Sequence, residues 1–205
     1  RLFRRQRQMC IRDSDSTLVL AATNQFLEAH NKKNCLTALH VNHQTQSDSS
    51  SWQIHCEKFC KEHNINFSCK SVEIKESGQG YEASARSARL DIFNAFDEAT
   101  VIILGHHLDD QVETVFFRVL RGTGLKGLTG MQRHLKIKDK DFIRPLLHLT
   151  KEEIFKQAIE YKLSFIEDQS NTDNAYSRNF LRNEIIPQIS KRWPGAKKNT
   201  ARMAN

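Results

Sequence analysis

Two histidines, two aspartates and a glutamate fall within eight positions of this chain, in Gly105-His-His-Leu-Asp-Asp-Gln-Val-Glu-Thr114. The segment follows a short apolar run, Thr100–Leu104, and opens a helical pattern. A helix dipole favours acidic residues in its first turn, so one aspartate there would be explained by capping. His-His-x-Asp-Asp-x-x-Glu at a strand's carboxyl end asks for more than a cap. Asp110 and Glu113 are three apart and share a helical face. Together they could hold a cationic amine or a hydrated magnesium ion. A zinc site from His106, His107 and Asp109 is the competing chemistry. It is disfavoured, because adjacent residues rarely point the same way.

Three further segments carry charge in a usable pattern. Arg118–Met131 holds four glycines within Gly122–Gly130, flanked by Arg118, Arg121 and Lys126. Exposed glycine N–H groups with nearby cations suit an anion, whereas Gly122 alone would be a helix C-cap. In Tyr81-Glu-Ala-Ser-Ala-Arg-Ser-Ala-Arg89, Arg86 and Arg89 are spaced to reach one polyphosphate, and alone they read as a solvated helix face. In Ile166–Pro187, Arg178 and Arg182 are four apart on a predicted helix, against the plainer reading of a capped surface helix.

Strands and helices alternate to position these groups. Thr17–His30, Ser51–His63, Glu82–Phe96, Asp109–Arg121 and Lys151–Tyr161 have helical apolar spacing. Cys35–Val41, Asn66–Ile74 and Thr100–Leu104 have strand length and character. Lys136–Asp141 reads as a charged, exposed hinge or hairpin, and the tail 167–192 as polar, then helical. Repeated β-α units predict an α/β fold with a parallel sheet and helices on both faces. Ligands in such sheets bind beyond the carboxyl ends of the strands, which singles out Val41–Ser51, Gly105–Asp110 and the residues before Ser16.

The 205 residues suffice for one domain with a core, and a formal net charge of +7 suits a polyanionic partner. No run approaches the length of a membrane span, and the basic start Arg1–Arg7 lacks the apolar stretch of a secretory signal. The five cysteines, at 10, 35, 56, 60 and 69, form no CxxC and suggest incidental thiols in a reducing cytoplasm.

Taken in order, the motifs resemble the tRNA(Ile)-lysidine synthase family of PP-loop ATP pyrophosphatases. They are His40-Val-Asn-His43, Glu82-Ala-x-Ala-Arg-x-Ala-Arg89, Gly105–Thr114, Arg121-Gly-Thr-Gly-x-x-Gly-Leu128, Arg144-Pro-Leu-Leu147, Glu167-Asp-x-Ser-Asn-x-Asp173 and Arg178-Asn-x-x-Arg182. The resemblance implies a Rossmann-like sheet of the adenine nucleotide α-hydrolase type with a short helical C-terminal extension. It implies a catalytic domain over residues 15–187, a truncated tail over 188–205 and C-terminal tRNA-binding domains beyond it. The implied reaction adenylates O2 of the wobble cytidine of tRNA(Ile) with a CAU anticodon. The ε-amine of L-lysine then attacks C2, giving lysidine, AMP and pyrophosphate. The implied cofactors are ATP and Mg2+. A cytoplasmic location, no membrane and a homodimer are further expectations.

Carried onto this chain, the resemblance implies ATP contacts from Asp15, Ser16, Arg86, Arg89 and His106, with magnesium near Asp15 and Asp110. It gives catalytic roles to Asp110, Glu113, Arg178 and Arg182, the two acids orienting lysine. It gives substrate or tRNA contacts to His43, Arg121, Gly122, Gly124 and Asn171. Positions 11–14 depart from the pattern, reading Ile-Arg-Asp-Ser where the family has Ser-Gly-Gly-x. Arg1–Cys10 carries four arginines and two glutamines, hardly a central strand. Residues 1–14 are therefore expected to be non-native, with the first strand and phosphate loop damaged. Competing readings are a tRNA thiolase, a metal-dependent phosphohydrolase using His106, His107, Asp109 and Asp110, and a non-catalytic RNA-binding module.

Overall fold

Period-two alternation in the strands sends apolar side chains to both faces of one sheet. From β2 (Leu36–Asn42), Leu36 and Ala38 enter one buried cluster, while Leu39 and Val41 enter another. From β4 (Ala99–Ile103), Val101 and Ile103 join the first, and Ile102 joins the second. Helices α1 (Ser14–Ala29), α2 (Ser49–Glu62) and α6 (Lys151–Glu160) cover the first face. Helix α3 (Tyr81–Ala95) covers the second, with Phe93 against Phe142. The computed structural model describes residues 6–10, 13–42, 49–72, 81–96, 99–166 and 173–204.

The sheet has six strands in the order β3-β2-β1-β4-β6-β5, with β1 (Gln6–Cys10), β3 (Asn66–Ser71), β5 (His134–Ile137) and β6 (Lys140–Ile143) completing the set. All neighbours are parallel except β5, which pairs antiparallel with β6. The α/β reading with a parallel sheet and flanking helices therefore holds. From the central β1 the chain winds outward to β2 and β3, then returns to β4 on β1's other side. The carboxyl ends of β1 and β4 thus form the topological switch point, where doubly wound sheets bind ligands.

Two expectations need correction. The arginine- and glutamine-rich start does supply a first strand. Gln6–Cys10 lies between β2 and β4, with Met9 aligned to Ala38 on one side and Ile103 on the other. A strand is held by its main-chain ladder, which is indifferent to side-chain polarity, and here both neighbours supply one. The segment 136–141 is a hairpin, as foreseen, yet Lys140 is buried rather than exposed. Its ammonium donates to the Phe96 carbonyl and, at 2.8 Å, to that of Ala99. Both carbonyls lie at the entry to β4.

The glycine-rich loop is docked on α4 (Leu108–Leu120) by one amide. The Gln111 side chain donates to the Met131 carbonyl at 3.0 Å and accepts from the Met131 N–H at 2.6 Å. A Cβ at Gly130 would sit 2.6 Å from that amide. The loop itself contains a short helix, α5 (Leu125–Leu128). Replacing Gln111 by Leu would leave two buried main-chain groups at Met131 unsatisfied. A loss of about 1–3 kcal/mol is expected in urea denaturation, with the loop's amide exchange accelerating ahead of the sheet's.

Candidate active site at the switch point

The site begins where β1 hands over to α1 and β4 hands over to α4. Asp13 caps α1: its carboxylate accepts from the Ser16 N–H at 3.1 Å and from the Ser16 hydroxyl at 2.8 Å. Gly105 lets β4's end approach this turn, since a Cβ there would lie 3.0 Å from the Ser16 nitrogen. His107 caps α4, with its Nδ1 accepting from the Asp110 N–H at 3.4 Å and its own N–H donating to Asp110 Oδ2 at 3.0 Å. Capping is thus real for Asp110, and it is also what brings the acids together.

Asp15 is the buried centre of the group. Its Oδ2 accepts from the Lys151 ammonium at 2.6 Å and lies 3.5 Å from His107 Nε2. Its Oδ1 is buried with no hydrogen-bond partner among the described residues. The same His107 nitrogen is 3.5 Å from Asp110 Oδ2, so one imidazole joins the two carboxylates. Burial pulls the His107 imidazole down, but its hydrogen bond to Asp15 and the charges of Asp110 and Asp15 outweigh burial and raise it. Asp109 faces the other way, accepting from the Lys151 N–H at 2.7 Å and from the Lys197 ammonium at 2.6 Å. Burial would lift this carboxyl, but those two donors hold it below the usual range.

Asp110 and Glu113 do share a face, and the cation between them belongs to this chain. Arg182 donates through Nε to Glu113 Oε1 at 2.6 Å and through a terminal nitrogen to Oε2 at 2.9 Å. A third contact reaches Asp110 Oδ1 at 3.5 Å. Glu113 is only 1% exposed, and burial lifts its carboxyl above the usual range against the pull of Arg182. A carboxylate this buried stays charged because the guanidinium meets it bidentately. Both predicted arginines bear on Glu113, Arg182 by direct contact and Arg178 through its charge. Arg178 lies in α7 (Ser177–Phe180), and a wider π-type turn begins at Leu181. The Arg178 guanidinium lies 5.8 Å from the Phe117 ring, which Arg121 also approaches, at 5.1 Å.

His106 and His107 diverge, so the two do not form one ligand set. Burial pushes His106 down to about 4, with Asp110 opposing and the charges of Arg144, Arg86 and Arg89 adding to the effect. Its Nδ1 is buried without a hydrogen-bond partner among the described residues. Among those residues no group of three or more His, Cys, Asp or Glu is arranged to hold a metal ion. Arg118, expected near an anion, donates to the Gly127 and Gly130 carbonyls at 3.1 Å each and so braces the loop. Gly122 follows the end of α4 at φ 76°, and it is exposed together with Arg121 and Gly124. His43 and Asn171 lie outside the described residues.

Sequence reasoning missed Lys151 and Lys197, and it ranked His106 above His107. One signal was available for Lys151. It opens a helix whose first turn otherwise carries Glu152 and Glu153, the end where a cation is disfavoured by the dipole.

A buried acid–imidazole–guanidinium cluster at the switch point of a doubly wound sheet defines a nucleotide-handling class of fold. Residues 10–189 match the PP-loop domain, and the chain belongs to that family. Its curated relatives include tRNA(Ile)-lysidine synthases. The protein of Histophilus somni (strain 2336) is 39% identical over 180 residues, which are 87% of this chain and 42% of that protein. That of Legionella pneumophila (strain Paris) is 40% identical over 194 residues, 93% and 43% of the two chains. That of Escherichia coli O157:H7 is 36% identical, over 93% and 44%. The chain thus spans less than half the length of these relatives. Two solved structures share the fold. The U34-tRNA thiolase NcsA from Methanococcus maripaludis superposes with TM-score 0.78 at 19% identity, over 97% of this chain and 70% of that one. The NH3-dependent NAD synthetase from Campylobacter jejuni gives 0.52 at 14% identity, over 95% and 74%.

The raised His107 imidazole makes the cluster pH-sensitive. Its contribution to stability is complete below histidine's ordinary 6.5 and is lost as pH rises through the higher folded-state value. In urea denaturation from about pH 6 to about pH 9, the stability advantage of the native chain over His107→Asn is expected to shrink with rising pH. A constant difference would mean that His107 stays neutral throughout.

Proposed function

We propose that this chain is the catalytic domain of a tRNA(Ile)-lysidine synthase. The observation that carries the proposal is the line of contacts at the switch point that runs from Asp15 through His107 to Asp110, and from Asp110 through Arg182 to Glu113. The similarity to lysidine synthases across about nine-tenths of the chain supports it. The fold likeness to a thiolase carries no chemistry, and Cys35, Cys56, Cys60 and Cys69 form no disulfide. Cys56 and Cys60 are buried on the inner face of α2, and burial pushes the Cys60 thiol up to about 12.

On this reading ATP lies across the β1–α1 and β4–α4 turns, with its phosphates toward Asp15 and Ser16 and with Arg86, Arg89 and His106 along its length. Burial and the nearby arginine charges push the His106 imidazole down, which suits an uncharged hydrogen-bonding partner. The cytidine O2 attacks the α-phosphorus and pyrophosphate leaves; this turns a poor leaving oxygen into a good one. The lysine ε-amine then attacks C2, and AMP departs. Asp110 is better placed than Glu113 to meet that amine, because Glu113 is fully engaged by Arg182 while Asp110 has only the longer contact. Glu113 accordingly fixes Arg182, and Arg178 stands beside it over Phe117. The unpartnered Asp15 Oδ1 fits a hydrated magnesium ion, with Asp110 as its neighbour. Such an ion would offset charge on the departing pyrophosphate. Arg121, Gly122 and Gly124 form an exposed rim suited to the anticodon stem-loop, and the family resemblance gives substrate or tRNA contacts to His43 and Asn171 as well.

Asp13 bears directly on the test. Its carboxylate takes the Ser16 N–H, a donor at the helix end that the family's glycine loop would leave to phosphate. Restoring Ser-Gly-Gly at positions 11–13 is expected to raise ATP-dependent incorporation of labelled lysine into CAU-anticodon tRNA(Ile) by about 10-fold or more. Asp110→Asn in that background should abolish transfer from lysine while sparing cytidine adenylation, read as pyrophosphate release. The proposal fails if the restored protein, folded, binding ATP and supplied with the relatives' remaining domains, incorporates nothing.

A further inference from the structure

Lys151 has a role that its sequence position does not advertise. As the first residue of α6 it sits at the positive end of a helix dipole, where a cation is disfavoured. Its side chain leaves α6 and crosses to the first turn of α1, donating to the Ser14 hydroxyl at 2.9 Å and to Asp15 Oδ2 at 2.6 Å. Its own N–H is fixed by Asp109 Oδ2 at 2.7 Å. An ammonium has three N–H donors, and these contacts use two of them. The Lys151 side chain remains 44% exposed, while that of Asp15 is 8% exposed. The cation therefore stands at the open side of the switch point with a donor to spare. It is tethered by a buried carboxylate that already has His107 Nε2 as a second neighbour, at 3.5 Å.

We infer that Lys151 is a phosphate-binding residue of this site, holding the pyrophosphate half of the nucleotide triphosphate against the α1 turn. The inference rests on the ATP-dependent reading above and adds to it a residue from a different part of the chain. Lys151 is anchored at its main chain by Asp109, and Asp109 is in turn held by Lys197. The ammonium is thus presented from a fixed base and needs little ordering on binding. As a compact charge on a flexible stem it can follow a phosphate oxygen that moves during departure.

The test is calorimetric titration of ATP, pyrophosphate and adenosine into the wild-type chain, Lys151→Met and Lys151→Arg. It is run in parallel on the chain with Ser-Gly-Gly at 11–13, together with steady-state lysine transfer and a tRNA binding assay. Lys151→Met is expected to weaken ATP and pyrophosphate binding about 10-fold or more, leave adenosine unchanged and raise KM for ATP more than it lowers kcat. Lys151→Arg should recover most of that loss. Equal ATP affinity in wild type and Lys151→Met would overturn the inference while leaving the ATP reading intact. So would a loss confined to tRNA binding, which would assign Lys151 to the RNA backbone. Absence of ATP and pyrophosphate binding in both wild-type and restored chains would sink the ATP reading itself, and the inference with it.

Discussion

The burial of Asp15 is the constraint around which the switch point is arranged. A carboxylate at 6% exposure survives only with close positive partners, because isolated burial of a charge costs several kcal/mol. The partners come from two different elements: Lys151 from α6 and His107 from the cap of α4. Each then recruits another acid, Asp109 for the Lys151 main chain and Asp110 for the imidazole. Arg182 and Lys197 complete the balance from the carboxyl-terminal helices. Gly105 makes the arrangement geometrically possible, since a side chain there would push β4's end away from the Ser16 backbone.

Much of this was legible in the residues. The alternation of Leu36, Ala38, Leu39 and Val41 between two faces is a local pattern, and local patterns fix strands and helices to within a few residues. Helix α1 begins three residues before the expected Thr17, because Asp13 and Ser16 form a reciprocal cap just where the family's glycines were missed. Strand β1 was illegible because its place is decided by two neighbours distant in sequence, and no side-chain pattern within 6–10 announces them. Among the site residues, Asp110 and Glu113 announced themselves by their spacing. Their guanidinium partner did not, because the contact joins positions 69 and 72 residues apart. Lys151 and Asp15 are separated by 136 residues, and only the misfit of a cation at a helix start hinted at the link.

The distribution of charge also separates strength from adaptability. Glu113 with Arg182 is a bidentate pair whose buried acid is costly to strand. Asp110 meets Arg182 only at 3.5 Å, and the tethered Lys151 ammonium stays 44% open to solvent. A reaction that brings in a polyanion and a free amine needs such a division. Some charges must hold the framework, and others must be able to change partners without collapsing it.

Helix α9 (Ala196–Met203) gives the carboxyl-terminal end of the chain a meaning that family likeness does not. The PP-loop match stops at residue 189, yet Lys197 reaches back to Asp109, and Ala201 seals the cluster formed by Leu108, Val112, Leu181 and Ile186. The end of the PP-loop match and the reach of the ion network are therefore different places. A protein trimmed to the first would carry an intact signature and an electrically unbalanced core. Any effort to transplant this domain, or to fuse it to a foreign partner, should take its boundary from the ion network, not from the homology.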